Sequence, residues 1–175
     1  LVWGLYLNIH NTILPRMRYL LILLCFSCFW AKAQKHAVAD TYNLEQFQQR
    51  VLQDNDTLYV VNFWATWCGP CVKELPHFKA LSQELNNKPI KFIMMSLDAQ
   101  ANLPLLNDFL QKKKVNIETH LFAAGDPNIW INQLEPSWQG SIPATFLYQK
   151  GRKLSFKESY FSTKKDLKSY IINHR

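Results

Sequence analysis

Residues 61–76 read VNFWATWCGPCVKELP, and they join two different hydrophobic patterns. Upstream, LYVVNFW over 58–64 is a nearly continuous apolar, β-branched and aromatic run, the pattern of a strand buried on both faces. Downstream, Val72, Leu75, Phe78, Leu81 and Leu85 repeat at helical spacing, which predicts a helix over about 69–85. Cys68-Gly69-Pro70-Cys71 therefore stands where a strand hands over to a helix. At a helix N-terminus the unpaired N–H groups and the dipole stabilise a thiolate and lower its pKa, so Cys68 is the expected exposed, attacking thiol. Cys71, one turn further in, is expected to be shielded and placed to attack a mixed disulfide formed at Cys68. Pro70 fits the first turn, where its missing N–H costs nothing, whereas Pro76 removes a backbone bond inside the helix and should kink it.

Working outward, Ala37 to Thr41 reads as a short leader, and Asn43 with Gln46 resembles a capping box before Leu44, Phe47 and Val51. Asp54-Asn55-Asp56 breaks that helix. Ile90 to Leu97 is a second buried strand, followed by a helix around Leu103 to Lys113 and a strand around Asn116 to Phe122. Asp126-Pro127 starts a brief helix carrying Trp130, Ile131 and Leu134. The stretch SIPATFLYQKGRKLSF gives Pro143, a strand, a turn at Lys150-Gly151 and a returning strand, and a terminal helix follows Thr163. Strands alternating with helices predict an α/β fold with parallel crossover units. No repeat or low-complexity linker interrupts 34–175, so this part reads as one domain.

The first 33 residues differ: they hold no acidic residue, and Met17-Arg18 precedes the apolar run YLLILLCFSCFW and then Ala31-Lys32-Ala33. Charge, short apolar region and small-x-small site are the grammar of a secretory signal peptide, with Met17 as the start and the preceding residues as upstream sequence. The competing reading is a membrane anchor, although Tyr19 to Trp30 falls short of the roughly 20 apolar residues of a usual span. A lipid-modified Cys28 is a third, weaker reading, since Cys25 and Phe26 suit the preceding positions poorly. Removal of the segment leaves 17 basic residues against 13 acidic, a net charge of +4 in place of +7. That excess is too small to argue for nucleic acid, and Lys112-Lys113-Lys114 lacks the interleaved aromatic residues of a single-strand binder.

Of four cysteines, Cys25 and Cys28 leave with the segment, and only Cys68 and Cys71 remain. A bridge closing so short a loop removes little entropy from the unfolded chain, so a redox role suits the pair better than a structural one.

The segment 61–71 closely resembles the active-site segment of thioredoxin-fold proteins. Together with Val72-Lys73-Glu74-Leu75-Pro76 and the later Ser141-Ile142-Pro143-Ala144-Thr145-Phe146, it resembles the exported TlpA/ResA-like disulfide reductases over essentially all of 42–175. The resemblance implies a three-layer fold, a central mixed β-sheet flanked by helices. It implies that Ile142-Pro143 is cis and lies beside the cysteines, with the neighbouring backbone pairing to the client chain; the alternative is that Pro143 simply starts an edge strand. Trp67, Gly69, Pro70, Ile142 and Pro143 are then the client-binding residues, and Cys68, Cys71 and Glu74 the catalytic ones. Asn62 stands where thioredoxins carry a buried Asp, so the proton must be handled elsewhere or by water. Glu74, three residues after Cys71 on the same helix face, either has a raised pKa and exchanges a proton with Cys71, or is a carboxylate favoured by the helix dipole. Phe63 and Trp64 read as packing residues, and Trp138 either lines the groove or covers the core.

The function so implied is an exported, monomeric thiol-disulfide oxidoreductase of the cell envelope or periplasm, or a membrane-anchored one if the signal is not cleaved. It would reduce disulfides of exported proteins, apocytochromes among them, and be re-reduced by a membrane thiol relay. No cofactor is needed, because the thiols carry the electrons. Gly69-Pro70 favours reduction: thioredoxin, with the same dipeptide, has a potential near about −270 mV, against about −120 mV for a strong periplasmic oxidant. The alternatives are a net oxidase or isomerase, a copper or zinc module built from Cys68, Cys71 and His77 or His120, and a peroxidase, for which no separate Thr-x-x-Cys is present.

Overall fold

A computed structural model describes residues 40–175, which form one six-stranded sheet between two layers of helices. The signal, the anchor and the pair Cys25 and Cys28 lie outside the described residues. The strands are β1 (Asp40–Tyr42), β2 (Leu58–Trp64), β3 (Ile90–Ser96), β4 (Glu118–Phe122), β5 (Ala144–Gln149) and β6 (Arg152–Lys157). The helices are α1 (Leu44–Val51), α2 (Gly69–Glu84), α3 (Leu103–Lys112), α4 (Pro127–Leu134) and α5 (Lys164–Asn173). Sheet order is β1-β4-β3-β2-β5-β6. The first four run parallel, and β5 and β6 are antiparallel to their neighbours, giving the mixed sheet of a thioredoxin-like fold. No helix among the described residues is long and apolar enough to cross a membrane.

β2 lies at the centre of the sheet, and all seven of its residues are buried. Because successive side chains of a strand point to opposite faces, Leu58, Val60 and Trp64 enter one core with Leu75, Phe78 and Leu81 of α2, Leu106 and Leu110 of α3 and Leu167 and Ile171 of α5. Tyr59, Val61 and Phe63 enter the other, with Phe47 and Val51 of α1, Trp130 and Leu134 of α4, and Phe146. Two of the three aromatics of the opening stretch, Phe63 and Trp64, are packing residues as expected. The capping box forms as read: Gln46 N donates to Asn43 Oδ1 and Asn43 N to Gln46 Oε1. Helix α2 continues past Pro76 to Glu84.

Two details differ from the sequence reading. The leader ends in a strand: Asp40, Thr41 and Tyr42 pair with His120, Leu121 and Phe122, and the Tyr42 ring stacks on His120. Three residues are too few to show an alternating pattern, and the strand exists through its partner. The second is a 3₁₀ turn, Gln100–Asn102, leading into α3.

Candidate active site

The central strand β2 ends at Trp64 and α2 begins at Gly69, so residues 65–68 form a tight passage at the C-terminal end of the sheet. Cys68 N donates to Ala65 O (3.1 Å), which closes a turn, and Cys68 takes the N-cap position in extended backbone with Pro70 in the first helical turn. Cys71 N donates to Cys68 Sγ (3.3 Å), so the sulfur caps an orphan N–H of the helix. The two sulfurs are joined as a disulfide. Cys71 is 1% exposed, shielded as expected. Cys68 is only 6% exposed, a correction to the expected exposed thiol: its sulfur sits against the Ile142 carbonyl and inside the core that contains Leu75. Exposure lies instead on its neighbours. Trp67 is 67% exposed, Gly69 and Pro70 are exposed, and a Cβ added at Gly69 would meet nothing within 4 Å.

Across from the sulfurs, the Ile142-Pro143 bond is cis, and Ile142 O lies 3.6 Å from Cys68 Sγ. The two quoted stretches, 61–76 and 141–146, therefore meet. Trp138 is 3% exposed among Phe63, Trp130, Phe146 and Phe156, so of its two readings it covers the core. It also serves the loop before the proline, because its Nε1 donates to Ser141 O (2.9 Å).

Beneath the disulfide, Glu74 is buried on α2, 1% exposed. Asn62 Nδ2 donates to Glu74 Oε1 (2.9 Å) and also contacts Thr145 Oγ1 (3.0 Å), while Phe161 N donates to Glu74 Oε2 (2.7 Å). Burial pushes the Glu74 carboxyl up to about 7, against the lowering effect of the Phe161 and Asn62 hydrogen bonds and of the Lys157 charge. Of the two readings of Glu74, its burial and raised pKa match the buried acid rather than a carboxylate favoured by the helix dipole. The Asn62 carbonyl oxygen is buried without a partner among the described residues. Asn62 is thus a neutral donor to the acid, which a carboxylate at its position could not be.

The passage 65–68 has its own anchor. Asp98, 5% exposed just past β3, accepts from Thr66 N (3.0 Å), the Thr66 hydroxyl and the Ser96 hydroxyl (2.6 Å). Leu97 N also donates to Trp64 O (2.8 Å), which ties the ends of β2 and β3 together.

The histidines weighed as metal ligands are engaged elsewhere. His77 Nε2 lies 3.1 Å from Ser162 O, and His120 lies between Tyr42 and Glu118. Among the described residues no group of three His, Cys, Asp or Glu side chains is placed to hold a metal ion.

Sequence reasoning missed Asp98 and the Phe161 N–H, and quoted Thr145 only as part of a motif. Asp98 carried a signal, since a carboxylate just past a parallel strand lies where α/β sheets place their sites. Phe161 carried none, because a backbone N–H is common to nearly every residue type.

The thioredoxin family profile matches residues 38–115. A thioredoxin of Rickettsia felis is 36% identical over 67 residues, 38% of this chain and 62% of that protein. The thiol-disulfide oxidoreductase ResA of Oceanobacillus iheyensis is 34% identical over 67 residues, 34% of this chain and 35% of that protein. The chain thus spans less than two thirds of the length of these curated relatives. The crystal structure of StoA from Bacillus subtilis has the same fold, with a TM-score of 0.53 over 67% of this chain and 84% of that one, at 24% identity. These likenesses support the resemblance to TlpA/ResA-like thioredoxin-fold proteins.

Proposed function

We propose that this thioredoxin-fold chain, similar to ResA-like thiol-disulfide oxidoreductases, reduces disulfides of exported proteins through Cys68 and Cys71. The observation that carries the reading is the disulfide between a helix-capping Cys68 and a buried Cys71, with the near-neutral acid Glu74 one turn further along the same helix. In the reduced protein, the Cys68 thiolate attacks one sulfur of a client disulfide. The client S–S bond breaks, its other sulfur leaves as a thiolate and takes up a proton, and a mixed disulfide remains. Cys71 then loses its proton and attacks Cys68 Sγ. The second client thiol is released and the Cys68–Cys71 bond forms, so the client gains two electrons and the protein loses them.

Glu74 is suited to the proton step. A group poised near neutral pH can accept the Cys71 proton and give it up again, and burial keeps bulk water from competing. Trp67, Gly69 and Pro70 supply the open surface beside Cys68, and the Ile142 backbone at cis-Pro143 supplies the opposite wall.

Return to the dithiol requires two electrons from a reductant, for which a membrane thiol relay fits an exported location. The location rests on the export grammar of 1–33, with 34–175 as the working domain. A cleaved signal leaves a periplasmic monomer, an uncleaved one an anchored enzyme. Apocytochromes awaiting haem attachment are one suitable client class. Cys71→Ser, expressed in the native host, removes the resolving thiol and is expected to accumulate mixed disulfides through Cys68 with exported proteins. No trapped client, together with unchanged envelope thiol status in Cys68→Ser cells, contradicts the reading.

A further inference from the structure

Residues 139–142 pass beside Cys68 without belonging to a strand or helix, and residues 139–141 are exposed, so side chains must fix their path. A carboxylate does so. Glu158, one residue past the end of β6, accepts from Gln139 N (3.0 Å) through Oε2 and from Ser141 N (2.8 Å) through Oε1. Gly140 between them has φ +84°, a left-handed conformation in which a side chain would be strained. The β5–β6 register, with Thr145 opposite Lys157, places Glu158 at the start of β5 and so at this loop. From the other side Trp138 Nε1 donates to Ser141 O. Ser141 is therefore held at both its N–H and its carbonyl, immediately before the Ile142 carbonyl that touches Cys68 Sγ. Three residues beyond Glu158, Phe161 N donates to Glu74. One short segment, 158–161, thus holds both the wall beside the outer sulfur and the acid beneath the inner one.

We propose that Glu158 is a positioning residue for exchange with protein clients, fixing the 139–142 backbone along which the client chain must lie. The inference rests on the reductase reading above. Any chain bonded through sulfur to Cys68 comes into van der Waals range of Ile142, so the position of this backbone decides how well a polypeptide fits. A small disulfide with no chain to align does not depend on it. Charge-assisted bonds to two N–H groups give the carboxylate a role that an amide fills by half and a methyl group not at all.

The test uses the full chain at pH 6, recycled by excess dithiothreitol for turnover of insulin as protein disulfide, and pre-reduced and freed of dithiothreitol for a single turnover with 5,5′-dithiobis(2-nitrobenzoic acid) as small disulfide. Glu158→Gln is expected to raise KM for insulin roughly tenfold with kcat within about twofold, and Glu158→Ala to raise it further. The rate with the small disulfide should stay within about twofold of wild type. The far-UV circular dichroism and urea midpoint of each variant report folding separately. Insulin KM values equal to wild type, or insulin and small-disulfide rates falling together, overturn the inference while leaving the reductase reading intact. A wild-type chain that reduces the small disulfide but leaves insulin unreduced overturns that reading, and the inference with it.

Discussion

Asn62 donates its amide hydrogen to Glu74 across 2.9 Å, joining the centre of β2 to the helix that carries both cysteines. The acid of the site is therefore on α2, and the β2 position supplies its neutral partner. Each consequence of that arrangement can be measured.

Glu74 should make stability depend on pH. Its folded pKa of about 7 lies above the ordinary carboxyl value of 4.5, so between those values the folded state keeps a proton that the unfolded state has lost. Stability is then full below about pH 4.5 and declines as pH rises toward 7, with a limiting slope of about 1.4 kcal/mol per pH unit. Urea titrations of the oxidised protein at several pH values should show this decline, and Glu74→Gln should remove it.

The same substitution should slow catalysis. With no proton acceptor at 74, formation of the Cys68–Cys71 bond from a mixed disulfide is expected to fall by roughly 10²-fold, the lower end of general-base effects. Stopped-flow release of a fluorescent thiol from Cys68 reports this step directly. Thiolate formation at Cys68, read by the pH dependence of alkylation, should change little, because the helix terminus serves that sulfur.

Asn62→Asp should be worse than a neutral change of similar shape suggests. It sets a second carboxyl against Glu74 in a buried site, where two negative charges repel and one proton is retained by the pair. The variant should lose stability above neutral pH relative to wild type, and much less at pH 5. Equal losses at both values would contradict the placement.

Asp98→Ala removes the acceptor for Thr66 N, the Thr66 hydroxyl and the Ser96 hydroxyl. A buried donor left unsatisfied costs about 1–3 kcal/mol, so a loss of roughly 2–4 kcal/mol in denaturant unfolding is expected.

At the far edge of the sheet, Arg50 makes two hydrogen bonds to Glu118 (2.8 and 2.6 Å), which His120 also approaches. Burial raises the Glu118 carboxyl, but the His120 and Arg50 hydrogen bonds outweigh it and hold it at about 2. A depressed pKa stabilises the fold above about pH 4.5 and stops doing so as pH falls toward 2. Arg50→Met should therefore cost about 2 kcal/mol at pH 7, with the difference from wild type shrinking below pH 4.5.

Much of this was legible in the sequence, for particular reasons. LYVVNFW is a continuous apolar run and the stripe from Val72 to Leu85 repeats at helical spacing, so the junction holding Cys68 and Cys71 could be read without a structure. Glu74 could be placed on the face of Cys71 from helical spacing alone. That Asn62 and Glu74 touch could not, because the contact depends on how closely α2 packs on β2. Strand β1 is made by pairing with β4, and the Phe161 N–H and the loop held by Glu158 are backbone features that residue type does not encode. The resemblance placed Ile142-Pro143 beside the cysteines, but not the enclosure of Cys68, which depends on Ile142, 74 residues away in sequence.

The central claim is that the Cys68–Cys71 pair works as a reductant, and its equilibrium potential tests this most directly. Equilibration of the purified protein in glutathione or dithiothreitol redox buffers, with the dithiol fraction read by alkylation, should place the potential below about −200 mV, in the range of thioredoxin-type reductants. A value more oxidising than about −150 mV would contradict the account.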